Sequence, residues 1–397
     1  MTRRRGFRPG DWESVAGRLD EILCAHGGED PLEAALALVV AKLEHEAAGH
    51  ERPFLDPRGA LAEQRRLLES AARRWPGVFD VAPSVALGEL ALERCAAVLR
   101  ELELSADGLA GLDALFEVLV HGAHKGEKGQ YFTPRYVARE LAAMLAPRPG
   151  ERVVDPACGS ACLLRQALAF EPRCQAWGFD VDARAARIGR AAIALSGHPP
   201  ERLRVCDSLA RGAVGAQASI EATMRAEAPG FGGFDLVLTN PPFAGDVGAS
   251  YARGYELARL GHGERDVLFL ERALELLRPG GRLAVVLPHN KLGGAAFAEL
   301  RAWLLERMRV VAVVGLGRNT FRPHTGQKTC VLFGVRRRAR GEVPPDEPIL
   351  FALSERDGKD ARGRVLRRQG GEVDHDLAEL VDEVARRMRD AAEELAR

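Results

Sequence analysis

Between Arg152 and Leu164 the chain reads RVVDPACGSACLL. A short apolar run ends in Asp155, passes through the small and turn-forming residues PACGSA, and gives way to LLRQALA, which starts a helix. A strand that hands over to a helix through small residues brings backbone close to something. Gly159 allows a conformation or an approach denied to larger residues, and the helix N-terminus behind it offers unpaired N–H groups. The spacing is not GxGxxG, and no lysine follows as in a phosphate-binding loop. A carboxylate or the polar end of a nucleoside cofactor therefore fits better than a pyrophosphate. Ala161 stands where a third small turn residue could have been glycine. A positive φ there costs roughly 1–2 kcal/mol; with a negative φ only the added methyl matters.

Outward from this turn, apolar runs alternate with amphipathic stretches. Strand candidates are 152–155, 174–180, 202–207, 234–240, 281–288, 310–316 and 329–335, with helices at 161–170, 183–196, 265–278 and 295–308. Such alternation predicts right-handed crossovers and a sheet covered on both faces. The last two strands are joined by RNTFRPHTGQK, with no good helical spacer, so an antiparallel strand is expected near one edge. The expected fold is α/β: a doubly wound, mostly parallel seven-stranded sheet with an antiparallel edge strand. An all-α domain precedes it.

That first domain, residues 1–125, shows helical periodicity and almost no strand-like alternation. In DPLEAALALVVAKLEHEAAG, Asp30 is an N-cap, Pro31 the first helical residue and Gly49 a stop. Further helices fit EQRRLLESAARRW, LGELALERCAAVLREL and GLDALFEVLVHGA. The sheet domain is expected over 126–340. A tail over 341–397 carries ILFAL and a terminal amphipathic helix. Arg336, Arg337, Arg338 and Arg340 either meet phosphate or form a solvated strand end, and the second reading is preferred.

Totals narrow the classes further. The 56 basic and 56 acidic side chains cancel, so no global field advertises nucleic acid, although a local basic cleft is compatible with that balance. Seven cysteines lie scattered without CxxC pairs, which suits reduced thiols better than a disulfide framework. Cys158 and Cys162 are four apart, yet no nearby ligands complete a zinc site, and no metal is expected. No apolar run reaches the roughly 18 residues of a membrane span, and the basic N-terminus lacks the apolar core of a signal peptide. A cytoplasmic protein with no membrane partner is expected.

In doubly wound sheets ligands bind beyond the carboxyl ends of the strands, at the topological switch point. Three successive strand ends offer an acid there. Asp155 ends the first. Asp180, in GFDVD, is placed to accept from ribose hydroxyls, while Asp182 suits a helix N-cap. Asp207, in CDS, can meet an adenine amine. Together they favour an adenosine-containing ligand. The fourth strand ends in LTNPPFAG, where Pro241 and Pro242 fix two φ angles and remove two N–H donors. Asn240 is thereby held at the strand tip. Its amide oxygen and a neighbouring carbonyl can accept both hydrogens of one planar –NH₂, favouring lone-pair localisation as the nitrogen pyramidalises. Phe243 can stack on the ring that bears the amine. Ahead of the sheet, GEKGQYFTPRYV brings Tyr131 and Phe132 before Thr133–Pro134, which is expected to open a helix by cap-and-Pro chemistry.

GQYFTP, DPACGSA, GFD, CDS and NPPF occur in the order found in amino-methylating DNA methyltransferases of the adenine-N6 class. The chain most resembles the methylation subunit of type I restriction–modification systems and related phage-defence methylases. LALVVAKLEHE, LERALELLRPGGRLAVVLPHNKL and VVGLGRNTFRPHTGQKTCVLF extend the likeness to about residues 30–370. The resemblance implies a class I methyltransferase-like fold, S-adenosylmethionine as cofactor, and transfer of its methyl group to adenine N6 in double-stranded DNA. By motif, Tyr131, Phe132 and Thr133 would line the methionine and adenosine side. Asp155, Ala157 and Gly159 would meet the methionine end, Asp180 the ribose and Asp207 the cofactor adenine. Asn240, Pro241, Pro242 and Phe243 would hold the target base, which must be flipped out of the duplex. The family usually has glycine where this chain has Ala161, and no target-recognition domain is evident. The resemblance therefore implies a separate specificity subunit, and beyond it a restriction or translocase subunit. FAGDVGASYARGYELARLGHGERD is either a strand-contacting segment or a plain flexible loop.

Two other classes are compatible with parts of the pattern. NPPF also serves the planar amines of RNA guanine or protein glutamine, although GQYFTP and the helical first domain speak against them. A non-catalytic DNA-binding or scaffold subunit with a vestigial cofactor pocket draws on Ala161 alone.

Overall fold

The structure, a computed structural model, describes residues 11–25, 31–49, 52–75, 78, 87–102, 104, 133–212, 218–243, 245, 247–341, 344 and 346–396. They fall into two compact units, one within Met1–Lys128 together with Arg190–Glu201, the other Gly129–Gly189 together with Arg202–Arg397. In the first unit, helices Asp11–Ala25, Pro31–Ala47, Ala60–Arg74 and Glu89–Arg100 are described. Their apolar stripes bury Leu19, Leu36, Val39, Leu68, Leu92 and Leu99. The expected helix over 111–123 lies outside the described residues.

Among its described residues the second unit carries eight strands: β1 (Arg152–Asp155), β2 (Gln175–Asp180), β3 (Leu203–Val205), β4 (Phe234–Thr239), β5 (Leu277–Pro288), β6 (Met308–Leu316), β7 (Thr329–Arg336) and β8 (Leu350–Leu353). Their order is β3-β2-β1-β4-β5-β7-β6-β8. From β1 the chain winds outward through β2 to β3, then crosses back to lay β4 on the other side of β1. The switch point is thus the crevice between the C-terminal tips of β1 and β4, where such sheets bind ligands. Val153, Val154, Phe179, Val237, Leu283, Val285 and Phe333 are fully buried between the helical layers. Burial of each such side chain contributes about 1.5–3 kcal/mol.

Two features differ from the expected sheet. β7 is antiparallel but does not lie at the edge: it pairs with β5 on one side and β6 on the other. With no helix between β6 and β7, the chain reverses and drops into the slot left beside β5. The edge is taken instead by an eighth strand, β8, parallel to β6 and drawn from ILFAL. The C-terminal helix Val381–Glu394 then packs against β5, β6, β7 and the helix Arg135–Leu145. Among the described residues no helix is long and apolar enough to cross a membrane.

Candidate active site

Asp155 closes β1 with its side chain buried. Its Oδ1 accepts a hydrogen bond from the Thr239 hydroxyl at 2.6 Å and another from the Ala157 amide at 3.0 Å. Thr239 is the last residue of β4, so one carboxylate oxygen ties both lips of the switch-point crevice. Burial pushes the Asp155 carboxyl up to about 7, against the two hydrogen bonds and with the nearby Asp180 adding to the rise. A cation arriving above this group would draw its proton off.

The turn that follows is stitched to β2. Cys158 N–H donates to the Phe179 carbonyl at 3.0 Å, and Gly159 N–H donates to Asp180 Oδ2 at 2.8 Å. Gly178 allows this approach, because a Cβ there would meet Cys158 Sγ at 2.9 Å. Gly159 has φ +49°, yet nothing stands within 4 Å of where its Cβ would be. The turn therefore shows an open backbone face. Ala161 is left-handed, φ 62° and ψ 24°, at the N-cap of the helix Cys162–Phe170. The costlier alternative for this residue is the one realised, roughly 1–2 kcal/mol.

Asp180 has its other oxygen occupied by the Asp182 amide at 2.9 Å, and burial raises its pKa. Each carboxylate oxygen keeps a second acceptor position. Asp182 caps the helix Ala183–Leu195 through Arg184 N–H at 2.8 Å. Asp207 accepts from Leu209 N–H at 3.1 Å and, through its other oxygen, from the Tyr251 hydroxyl at 2.6 Å.

Asn240 follows β4 directly and is buried. Its Nδ2 donates to Thr133 Oγ1 at 3.1 Å, which turns the amide nitrogen to Thr133 and the oxygen away from it. The expectation that Thr133 caps a helix is corrected here. The N-cap of Arg135–Leu145 is Pro134, whose carbonyl accepts the Ala138 N–H at 3.0 Å and whose ring offers no side-chain acceptor, while the Thr133 hydroxyl, one residue earlier, accepts from Asn240. Tyr131 and Phe132 lie outside the described residues. Pro241 is buried, Pro242 half-buried and Phe243 buried. Phe243 meets Phe321 edge-on, ring centroids 6.0 Å apart and planes at 83°.

The stretch after NPPF is a packed segment rather than a plain loop, though Ala244 and Asp246 are outside the described residues. It holds short helices Ala249–Ala252 and Glu256–Arg259. Glu271 caps the second through Glu256 N–H at 2.9 Å and Leu257 N–H at 2.8 Å, while the Tyr255 hydroxyl donates to the Leu209 carbonyl at 2.7 Å. The four tail arginines are also engaged. Arg336 donates to the carbonyls of Glu275 and Leu277, Arg337 pairs with Glu347, Arg338 meets the carbonyls of Leu395 and Ala396, and Arg340 pairs with Glu256.

Sequence reasoning missed Thr239, Tyr251 and Phe321. Thr239 reads as ordinary β-propensity, and Tyr251 lies 44 residues from its partner Asp207. Phe321 sits in the connection that had no helical pattern. The only signal for Tyr251 was the Tyr- and Arg-rich composition of its segment.

Residues 113–375 match a family model described as N-6 DNA Methylase. The chain is 28% identical over 221 residues to the type I restriction enzyme EcoEI methylase subunit of Escherichia coli, covering 55% of this chain and 44% of that protein. It is 30% identical over 218 residues to the EcoKI methylase subunit of Escherichia coli strain K12, covering 53% and 40% respectively. The match thus spans less than half the length of these curated relatives. In fold the chain is similar to the type I restriction–modification methyltransferase subunit from Streptococcus thermophilus, with a TM-score of 0.66 at 17% identity over 96% of this chain and 94% of that one.

Proposed function

The chain belongs to the N-6 DNA methylase family, and from that premise we propose that it transfers a methyl group from S-adenosylmethionine to the N6 amine of adenine in double-stranded DNA. The observation that carries this reading is the hydrogen bond from Asn240 to Thr133, which orients the amide at the tip of β4 beside the turn headed by Asp155. The cofactor supplies an activated methyl group, so the protein needs alignment rather than a covalent nucleophile.

The residues present suit that cofactor. Its ammonium fits above the Asp155 carboxyl, whose proton is loosely held near neutrality. The open backbone face at Ala157 and Gly159 suits the methionine end, and the second acceptor positions of Asp180 suit ribose hydroxyls. Asp207 would receive the adenine amine in company with Tyr251. Tyr131, Phe132 and Thr133 would close the cofactor from the other side. At the target base, the Asn240 oxygen accepts from N6 and helps the nitrogen pyramidalise. Pro241 and Pro242 keep the strand tip from continuing as a ladder, and Phe243, backed by Phe321, faces the base.

In this reading residues 1–125 form a helical domain ahead of the methyltransferase domain, and the protein works in the cytoplasm. The relatives' names, methylase subunits of type I restriction enzymes, favour a separate specificity subunit that reads the DNA sequence and a restriction or translocase subunit alongside. Expressed with a specificity partner in a host without adenine methylases, the protein should leave N6-methyladenine at one fixed sequence of the host genome. Methylation of RNA or protein instead, or of nothing, would refute the reading.

A further inference from the structure

Beyond the residues that face cofactor and base, one segment after β8 touches both structures that frame the NPPF motif. Asp357 lies at its centre. The Asp357 carboxylate accepts the Asn319 N–H at 3.1 Å, at the start of the connection 317–328 between β6 and β7. It occupies the space that Gly317 leaves open, since a Cβ on Gly317 would fall on the Asp357 carboxylate. Two residues on, the buried Lys359 ammonium donates to the Arg322 carbonyl at 3.2 Å, next to Phe321. Phe321 is the ring that stands edge-on to Phe243.

The same segment holds the helix that begins after Thr133. The Asp357 carbonyl accepts from the Tyr136 hydroxyl. His375, bridged antiparallel to Asp357, stacks on the Tyr136 ring at 5.0 Å and lies 3.8 Å from Glu140. Gly358 permits this closeness, because a Cβ there would meet the Tyr136 ring at 2.7 Å. One short stretch therefore sets two things at once: Phe321 against Phe243, and the helix Arg135–Leu145, two residues before which Thr133 receives Asn240.

We propose that Asp357 and Lys359 are positioning residues for the target-base pocket, acting through Phe321 on Phe243 and through Tyr136 on the Thr133–Asn240 pair. The proposal rests on the methyltransferase reading above and adds to it the residues that hold the base-facing side chains in register. None of these contacts involves the cofactor turn 155–161. The two halves of the site should therefore separate experimentally.

The test compares wild type, Asp357→Ala, Asp357→Asn and Gly317→Ala, each assembled with the specificity partner. Asp357→Ala should lower kcat for methyl transfer by about tenfold or more while the Kd for S-adenosylmethionine stays within about twofold. Asp357→Asn keeps an acceptor oxygen for Asn319 and should recover most of the rate. Gly317→Ala, which evicts the carboxylate from the other side, should reproduce the loss and serves if Asp357→Ala does not fold. A kcat within twofold of wild type in both disruptive variants, or cofactor affinity lost in step with rate, overturns the proposal. Hydrogen exchange separates it from the function itself: the Asn319 amide should exchange faster in Asp357→Ala whether or not any DNA is methylated. Unchanged exchange overturns the brace, whereas a wild type that binds cofactor and methylates no DNA overturns only the assigned reaction.

Discussion

Asp155 and Thr239 are joined by a hydrogen bond of 2.6 Å across the crevice between β1 and β4. The acid that heads the turn after β1 and the residue preceding Asn240 thus form one mechanical unit. The bond fixes the tips of β1 and β4 relative to each other.

The protonation of Asp155 gives a pH signature. Its folded pKa of about 7 lies above the ordinary carboxylate value of 3.8, so between these pH values the folded state binds more protons than the unfolded chain. Stability therefore falls as pH rises through this window. The shift corresponds to a few kcal/mol, on the order of 4. Asp155→Asn should remove that slope: denaturation midpoints at pH 5 and pH 8 should converge in the variant relative to wild type. Parallel pH dependence in the two proteins would show that Asp155 titrates normally.

Ala161 carries a left-handed backbone with a side chain attached. Ala161→Gly removes that cost but loosens the unfolded chain, leaving a net gain of about 0.5–1 kcal/mol. Thermal unfolding should rise by about 1–2 °C, and cofactor binding should tighten. Ala161→Val should move both the other way, since a β-branched residue tolerates positive φ poorly.

Thr133→Val removes the acceptor of a buried amide. The unsatisfied group costs about 1–3 kcal/mol, and Asn240 loses its fixed orientation. Steady-state kinetics should show kcat reduced by about 10- to 100-fold. An unchanged kcat would mean that Asn240 is oriented without Thr133.

Arg272 is only 1% exposed, yet it donates two bonds to Glu221 and one to the Ser208 carbonyl. Breaking this pair from one side leaves a buried cation with only the longer Glu275 contact, at 3.5 Å. Glu221→Gln should cost roughly 3 kcal/mol in urea denaturation, whereas Glu221→Asp should cost less. The Ser208 contact lies beside Asp207, so cofactor affinity should weaken in parallel.

Much of this architecture is legible in the sequence. Alternating apolar runs and amphipathic stretches mark β1 to β7 because most of these strands are buried on both faces, the edge strand β3 being the exception. β8 escaped because four residues at an edge, two of them exposed, carry too little pattern. The position of β7 escaped because sequence order says nothing about which slot a reversed strand enters. The placement of Asp155, Asp180, Asp207 and Asn240 at or just beyond strand ends is legible in the sequence. Thr133 was read as a cap because Thr-Pro before a helix usually is one, and only tertiary structure brings Asn240 to its hydroxyl. Tyr251, Phe321 and Asp357 act across long sequence separations, where local chemistry gives no warning.

The most direct test of the central claim uses purified protein with its specificity partner, methyl-labelled S-adenosylmethionine and duplex DNA, comparing wild type with Asn240→Ala. The account predicts label recovered as N6-methyladenine with wild type and none above background with the variant, while both bind the cofactor. Undiminished labelling by Asn240→Ala, or label on any other group, would contradict it.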